Sequence, residues 1–204
     1  MSQVVLVYHD PDIYVCDHFL TNKECSELCV LHTNRDAARS YVDSEHSDAI
    51  TNNTRTSTFV ELQDTHRLYP IVLKRALKLA GRLFSEHCCA KEAPQIIHYA
   101  PGQSFGIHHD AGTLHDNGSV HPVSGDMPGF RCVSVFVYLQ APAIGGRTCF
   151  PRCHNLRVRP VQGRAVIWRN NMKGENILDT RVCHCGEEVK RGIKVGMNVW
   201  LHAG

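Results

Sequence analysis

The sequence predicts an α+β domain, a β-rich core of sandwich or barrel type with N-terminal helices covering one outer face. Three observations predict it. Both helical signals lie before residue 85, and after Pro94 eight short β-like runs follow one another. Turn clusters such as Pro101-Gly102, Gly145-Gly146 and Gln162-Gly163 separate those runs. Many short strands at regular spacing are the pattern of a sandwich or barrel. With 204 residues, 43% hydrophobic and 21% charged, residues 1–204 fit a single domain with a sizeable core.

Val4 to Tyr8 reads as a strand. Leu20-Thr21-Asn22-Lys23-Glu24-Cys25 combines a hydrophobic staple, an N-cap Thr21 and a capping-box Glu24, opening a helix to about Leu31. Residues 35–54 are rich in Asp, Ser, Asn and Thr and read as a loop. Thr56 to Leu62 is a strand candidate. From Leu68 to Phe84, Leu68, Val72, Ala76, Leu79 and Leu83 recur at helical spacing, and Pro70 is tolerable in the first turn. Lys74, Arg75, Lys78 and Arg82 between them read as a solvated face. The later runs are Gln95–Tyr99, Phe105–His109, Cys132–Leu139, Arg147–Phe150, Leu156–Arg159, Arg164–Trp168, Thr180–His184 and Lys194–His202.

A net charge of +2 gives no strong electrostatic case for nucleic acid or an anionic membrane. No window reaches the roughly 18 uninterrupted apolar residues of a membrane span. The N-terminus lacks a basic segment and a long apolar stretch, so it reads as a strand and not a signal peptide. The ten cysteines are then expected as free thiols in the cytoplasm or nucleus.

His108-His109-Asp110 lies in the β-rich half. Alternate residues of a strand share a face, so His108 and Asp110 are expected to aim at one ion while His109 faces away. His184 offers a second imidazole. Two histidines and a carboxylate on one side of an ion leave its other positions open, as in the facial triad of non-haem iron(II). His-x-Asp alone is a weak signal among fourteen histidines.

The surrounding text adds specificity. Tyr99-Ala100-Pro101-Gly102-Gln103-Ser104-Phe105-Gly106-Ile107-His108-His109-Asp110 resembles the metal-binding segment of prolyl 4-hydroxylases. Arg131-Cys132-Val133-Ser134-Val135-Phe136-Val137-Tyr138-Leu139 is similar to that family's next core strand, and Gly145-Gly146-Arg147-Thr148-Cys149-Phe150-Pro151 to its Gly-Gly-x-Thr-x-Phe-Pro turn. Pro160–Trp168 resembles the strand pair leading to the second histidine. His184, Val189, Gly192, Lys194 and Trp200 follow in the family's order, and Arg55-Thr56-Ser57 resembles an upstream motif. The resemblance covers about residues 55–202 and points to the prolyl 4-hydroxylase branch of the 2-oxoglutarate oxygenases.

That resemblance implies a double-stranded β-helix, or jelly roll, holding Fe(II) at His108, Asp110 and His184. It implies 2-oxoglutarate and O2 as cosubstrates, ascorbate as reductant, and hydroxylation of a protein or peptide side chain, prolyl above all, with release of succinate and CO2. Lys194 would bind the distal carboxylate of 2-oxoglutarate, because a buried ammonium needs a paired anion. Tyr99 and Thr148 resemble hydroxyl donors to the same carboxylate. Trp200 matches a tryptophan beside the site, and Arg131 an arginine near the bound peptide or a structural ion-pair partner. Phe105 departs from the pattern: it stands where the family usually carries tyrosine, which puts strict peptidyl-proline specificity in question. Ala111 to Phe130 is long for a loop and reads as either a lid or an insertion.

Three other readings stay open. Cys149, Cys153-His154 and Cys183-His184-Cys185 could hold an accessory zinc, although the spacing is not that of a finger and Cys183 and Cys185 would point away from His184 on a strand. The jelly roll could be a catalytically idle binding module. The oxygenase could also act on a non-prolyl substrate.

Overall fold

Period-two alternation in two long apolar runs, Arg131–Gln140 and Lys194–Ala203, decides how the layers are arranged. The structure, a computed structural model, describes residues 3–33, 38–39, 57–122, 130–175 and 177–204. The first half holds β1 (Val4–Tyr8), β2 (Ile13–Cys16), α1 (Asn22–Thr33), β3 (Ala38–Arg39), β4 (Thr58–Glu61), α2 (Tyr69–Phe84) and β5 (Cys88–Cys89). Then come β6 (Gln95–Tyr99), β7 (Phe105–His108), β8 (Gly112–Leu114), β9 (Val120–Pro122) and β10 (Arg131–Gln140). The chain ends with β11 (Ile144–Gly145), β12 (Thr148–Phe150), β13 (Leu156–Val158), β14 (Ala165–Arg169), β15 (His184–Gly186), β16 (Val189–Arg191) and β17 (Lys194–Ala203).

A nine-stranded sheet runs β1-β2-β14-β10-β17-β6-β4-β3, with β5 added on β17, and a four-stranded sheet runs β13-β12-β15-β7. On β10 and β17, Val133, Val135, Val137, Leu139, Val195, Met197, Val199 and Leu201 face the helices, where Cys25 and Leu28 of α1 and Val72, Ala76 and Ala80 of α2 complete a buried cluster. Phe136 and Tyr138 face the other way and meet Phe150 and Val158 of the smaller sheet. The result is the expected jelly roll with both helices on one outer face.

The helix signals hold in detail. Glu24 N–H donates to Thr21 Oγ1 at 3.2 Å and Thr21 N–H donates to Glu24 Oε2 at 2.8 Å, a closed capping box. Arg75 is not merely solvated. Its guanidinium donates twice to Glu24, at 2.9 and 3.0 Å, and once to the Phe19 carbonyl at 3.0 Å, tying α2 to the start of α1. Pro70 sits in the first turn of α2, and that helix ends on Ser85 in the left-handed region.

The structure corrects several boundaries. Thr180–Val182 is a 3-10 turn and only His184–Gly186 is strand. The stretch after Ala111 begins as a hairpin, β8 with β9, not as a loop. The loop expected over 35–54, apart from Ala38–Arg39, lies outside the described residues, as do Arg55 and Thr56 and the 123–129 part of the supposed lid; Ser57 is buried. The ten cysteines are unbridged thiols, with Cys88 and Cys132 Sγ atoms 3.3 Å apart. Among the described residues no helix is long and apolar enough to cross a membrane.

Glu24→Ala should destabilise the fold by about 1–3 kcal/mol, because it opens the capping box and strands Arg75. Arg75 holds the Glu24 carboxyl below its ordinary range, against a smaller opposing effect of burial. A lowered carboxylate contributes stability above its unfolded pKa and loses it as pH falls through the folded value. The wild-type advantage over Glu24→Ala in denaturant melts should therefore be full at pH 7 and shrink in acid below about pH 4. An advantage that does not change with pH would contradict this assignment.

Candidate metal centre and cosubstrate cavity

His108 and His184 are partners across β7 and β15, so the two imidazoles arrive together from neighbouring strands. Their ring centroids stand 4.2 Å apart. Asp110 does not reach them by strand alternation, as the sequence suggested. β7 ends at His108, and Asp110 lies in the turn that follows. That turn delivers the same outcome: potential ligand atoms of His108, Asp110 and His184 all lie within 4.8 Å of one another.

Each imidazole is set for coordination by its other nitrogen. His108 Nδ1 lies 2.9 Å from the Gly106 carbonyl and His184 Nδ1 lies 3.1 Å from the Val182 carbonyl. A carbonyl can only accept, so both Nδ1 atoms carry a proton and Nε2 is the nitrogen left to each ring for a metal. These Nε2 atoms sit 3.5 and 3.8 Å from Asp110 Oδ1. Burial, helped by the nearby His108, pushes the His184 imidazole down to about 3, so it stays neutral at physiological pH. Burial also opposes ionisation of Asp110, but charge and hydrogen bonding around it, the Ser134 hydroxyl included, outweigh it and hold the carboxyl far below its usual range. Two imidazoles and one carboxylate are the donor set of a non-haem iron(II) site with open positions, and the residues present fit that ion.

His109 faces away, as expected, but it is not idle. It is buried, its Nε2 lies 3.2 Å from the Asp179 carbonyl, and its Nδ1 accepts from the Ala111 N–H at 3.1 Å. Asp179 in turn caps the 3-10 turn whose last residue, Val182, orients His184. One histidine thus ties both ligand segments together.

Beside the triad, a small cavity of about 30 Å³ is lined by Tyr99, Phe105, Phe136, Thr148, Cys185 and Lys194, among others. Cys185 belongs to this wall, contrary to the expectation that it points away. Lys194 is 1% exposed, and its Nζ lies 5.0, 5.1 and 5.6 Å from the ring centres of Tyr99, Phe136 and Tyr138. Among the described residues no carboxylate comes within ion-pair distance of it. Burial lowers its ammonium to about 8, partly offset by Cys149, Cys185 and Glu187. The Gly145-Gly146 turn explains how the lysine fits: both glycines have positive φ, and a Cβ on Gly146 would stand 3.2 Å from Lys194 Cδ. Thr148 Oγ1 lies 2.6 Å from the Tyr138 hydroxyl, a partner the sequence reading passed over.

Phe105 stacks on His108 with centroids 3.7 Å apart and planes 19° from parallel. Arg131 resolves toward the ion-pair reading. It pairs with Glu92, donates to the Asp110 carbonyl at 3.0 Å and lies 3.7 Å from the centre of the Trp200 ring. His202 Nε2 meets the same Glu92 at 2.7 Å. Trp200 is 7% exposed, and its Nε1–H has no hydrogen-bond partner among the described residues. His108, Asp110 and His184 form the only cluster of three or more potential metal ligands among the described residues, so the cysteines assemble no second centre there.

Residues missed by sequence reasoning include Ser134, Asn170, Trp168, Tyr138 and Glu92. Ser134 left one trace, a small hydroxyl inside the apolar run Cys132–Leu139.

Comparison with known proteins follows the same lines. Prolyl 4-hydroxylase 1 of Arabidopsis thaliana is 27% identical over 212 residues, covering 96% of this chain and 70% of the relative. The human transmembrane prolyl 4-hydroxylase is 26% identical over 196 residues, covering 78% of this chain and 39% of that one. Among solved structures, the viral collagen prolyl hydroxylase of Paramecium Bursaria Chlorella virus-1, in its 2OG complex, superposes with a TM-score of 0.73 at 22% identity, covering 94% of this chain and 96% of that one. A Trichoplax adhaerens prolyl hydroxylase in complex with a hypoxia inducible factor peptide gives 0.68 at 16% identity, covering 95% and 84%. Residues 94–202 match the model of the 2OG-Fe(II) oxygenase superfamily, and the chain belongs to that family.

Proposed function

We propose that this chain is a peptidyl-prolyl hydroxylase that consumes 2-oxoglutarate and O2 and releases succinate and CO2. The observation that carries the cosubstrate assignment is Lys194: a buried ammonium without a protein carboxylate, in a small cavity that also touches the histidines of the triad. A metal site at one end and an ammonium in the wall suit a short dicarboxylate. When bound at His108, Asp110 and His184, ferrous iron would supply the redox chemistry that couples 2-oxoglutarate decarboxylation to hydroxylation of a C–H bond.

The chain's own residues bind, orient and shield. Lys194 pairs with the distal carboxylate, and the Tyr99 and Thr148 hydroxyls help to orient it. Tyr138, 2.6 Å from Thr148, holds that side chain in place. Phe105, Phe136 and Ile97 keep water from the cavity wall. Trp200 and Arg131 form one stacked surface for the peptide, and a peptide carbonyl accepting from Trp200 Nε1 would satisfy a buried donor that otherwise costs about 1–3 kcal/mol. Ascorbate serves as the reductant that keeps the metal ferrous.

Prolyl specificity rests on the likeness to plant prolyl 4-hydroxylases along nearly the whole chain. A second reading, the same reaction on another side chain, draws on Phe105, which packs flat on His108 and brings no hydroxyl to the site. An assay of a proline-containing peptide library with Fe(II), 2-oxoglutarate and ascorbate decides between them. The expected result is succinate release with a gain of one oxygen on proline. Oxygen found only on other residues would favour the second reading, and absence of succinate for every peptide would argue for an idle fold.

Lys194→Ala should raise the 2-oxoglutarate half-saturation by roughly two to four powers of ten, the effect of breaking a desolvated charge pair worth about 3–5 kcal/mol. Lys194→Arg should recover only part of it, since a planar fork replaces a compact ammonium. An unchanged half-saturation in Lys194→Ala would place the anchor elsewhere.

The pH dependence has a defined sign. The free ammonium titrates at about 8, and only its charged form pairs with the dicarboxylate. Binding of 2-oxoglutarate, followed by calorimetry on the Mn(II)-loaded protein, should be flat below that pH and weaken above it. Binding that strengthens as pH rises from 7.5 to about 9 would contradict the pairing.

A further inference from the structure

Asp110 Oδ2 accepts a 2.6 Å hydrogen bond from the Ser134 hydroxyl. Behind Ser134 stands Asn170, whose Nδ2 donates to Ser134 Oγ at 3.0 Å and to the Arg131 carbonyl at 3.0 Å. Behind Asn170 stands Trp168, whose Nε1–H donates to Asn170 Oδ1 at 3.0 Å. Ser134, Asn170 and Trp168 are each at most 1% exposed.

The order of donors leaves no freedom. An indole nitrogen can only donate, so the Asn170 amide oxygen must face Trp168 and its NH2 must face Ser134. Ser134 Oγ already accepts from Asn170, so its own proton is the one given to Asp110 Oδ2. That leaves Oδ1 as the oxygen turned to His108 and His184 Nε2, at 3.5 and 3.8 Å.

We infer that Ser134 and Asn170 are positioning residues: with Trp168 they form a one-way hydrogen-bond relay that holds the Asp110 carboxylate with a single oxygen offered to the metal. Without the serine hydroxyl, Oδ2 is a buried anionic oxygen lacking its donor, free to turn toward the ion and take up space that the cosubstrates need. The same relay reaches the second histidine through packing, because the Trp168 ring stands edge-on to His184 at 4.6 Å between centroids. The inference rests on the metal assignment above and adds the groups that aim its carboxylate.

Two substitutions near-isosteric with each other isolate the hydroxyl. Ser134→Thr keeps it and adds a methyl, and Ser134→Val adds the same methyl and replaces the hydroxyl with another. Mn(II) affinity, read by electron paramagnetic resonance of the free ion, should fall by roughly 10–100-fold in Ser134→Val, the usual effect of losing an outer hydrogen-bond partner of a metal ligand. Ser134→Thr should stay within about three-fold of wild type. Metal-free thermal melts establish that each variant folds, and Ser134→Ala replaces Ser134→Val if the larger side chain prevents folding. Equal Mn(II) affinity in the hydroxyl-free and Thr variants would overturn the relay. Failure of the wild-type protein to bind Mn(II) would overturn the metal assignment itself, a separate outcome.

Discussion

The antiparallel pairing of β10 with β17 is the contact on which the rest of the molecule depends. It places Ser134 opposite Trp200 and Tyr138 opposite Gly196, and it carries two unlike faces on the same pair of strands. One face, Val133, Val135, Val137, Val195, Met197 and Val199, is wholly apolar and sits under the helices. The other face brings Ser134, Tyr138, Lys194 and Trp200 toward the cavity side. Because side chains alternate with a period of two, a slip of one residue would bury Lys194 beneath α2 and turn Met197 toward the metal residues. The apolar face therefore fixes the register, and the register fixes the chemistry. The hydrophobic burial that stabilises the domain is also what aims its ligands.

Electrostatics on the cavity side follow from the same burial. Desolvation keeps His184 neutral, which a metal ligand requires, and weakens the hold of Lys194 on its proton. An ammonium in such surroundings is costly until an anion pairs with it. Gly145 and Gly146 let β11 and the following turn come close enough to enclose the lysine stem. A Cβ on Gly145 would stand 2.1 Å from the Glu188 carbonyl oxygen, so the turn tolerates no side chain there. The glycine pair is thus part of the anion site although it touches no anion.

Much of this was legible in the sequence, and the reason is spacing. Residues that act within one strand or one turn keep fixed offsets, so Tyr99 to Asp110, Gly145 to Pro151 and His184 to Lys194 could be recognised as blocks. The capping box of α1 was legible for the same reason. What escaped detection depends on pairings between distant segments. Glu92 meets Arg131 and His202, Arg75 reaches back to Glu24, and Trp168 and Asn170 serve an aspartate some sixty positions earlier. Short strands such as β8, β9, β11 and β16 escaped because two or three residues carry no periodicity. Asp110 was assigned the right role by the wrong geometry: the strand stops at His108, its last ladder partner, and a turn does what alternation was expected to do.

Arg131 shows how far the charge on the substrate side is already committed. Its guanidinium is shared between Glu92, the Asp110 carbonyl and the face of Trp200, and Glu92 is further shared with His202. An arginine so neutralised offers little field to an incoming peptide, and the net charge of +2 adds little at long range. Attraction by charge is therefore a weak basis for choosing a substrate here. Shape remains, in the stacked Arg131–Trp200 surface and the Phe105 ring lying on His108. A flat, uncharged ring substituent such as proline suits that surface better than a carboxylate or an ammonium, each of which would enter without a free partner for its charge.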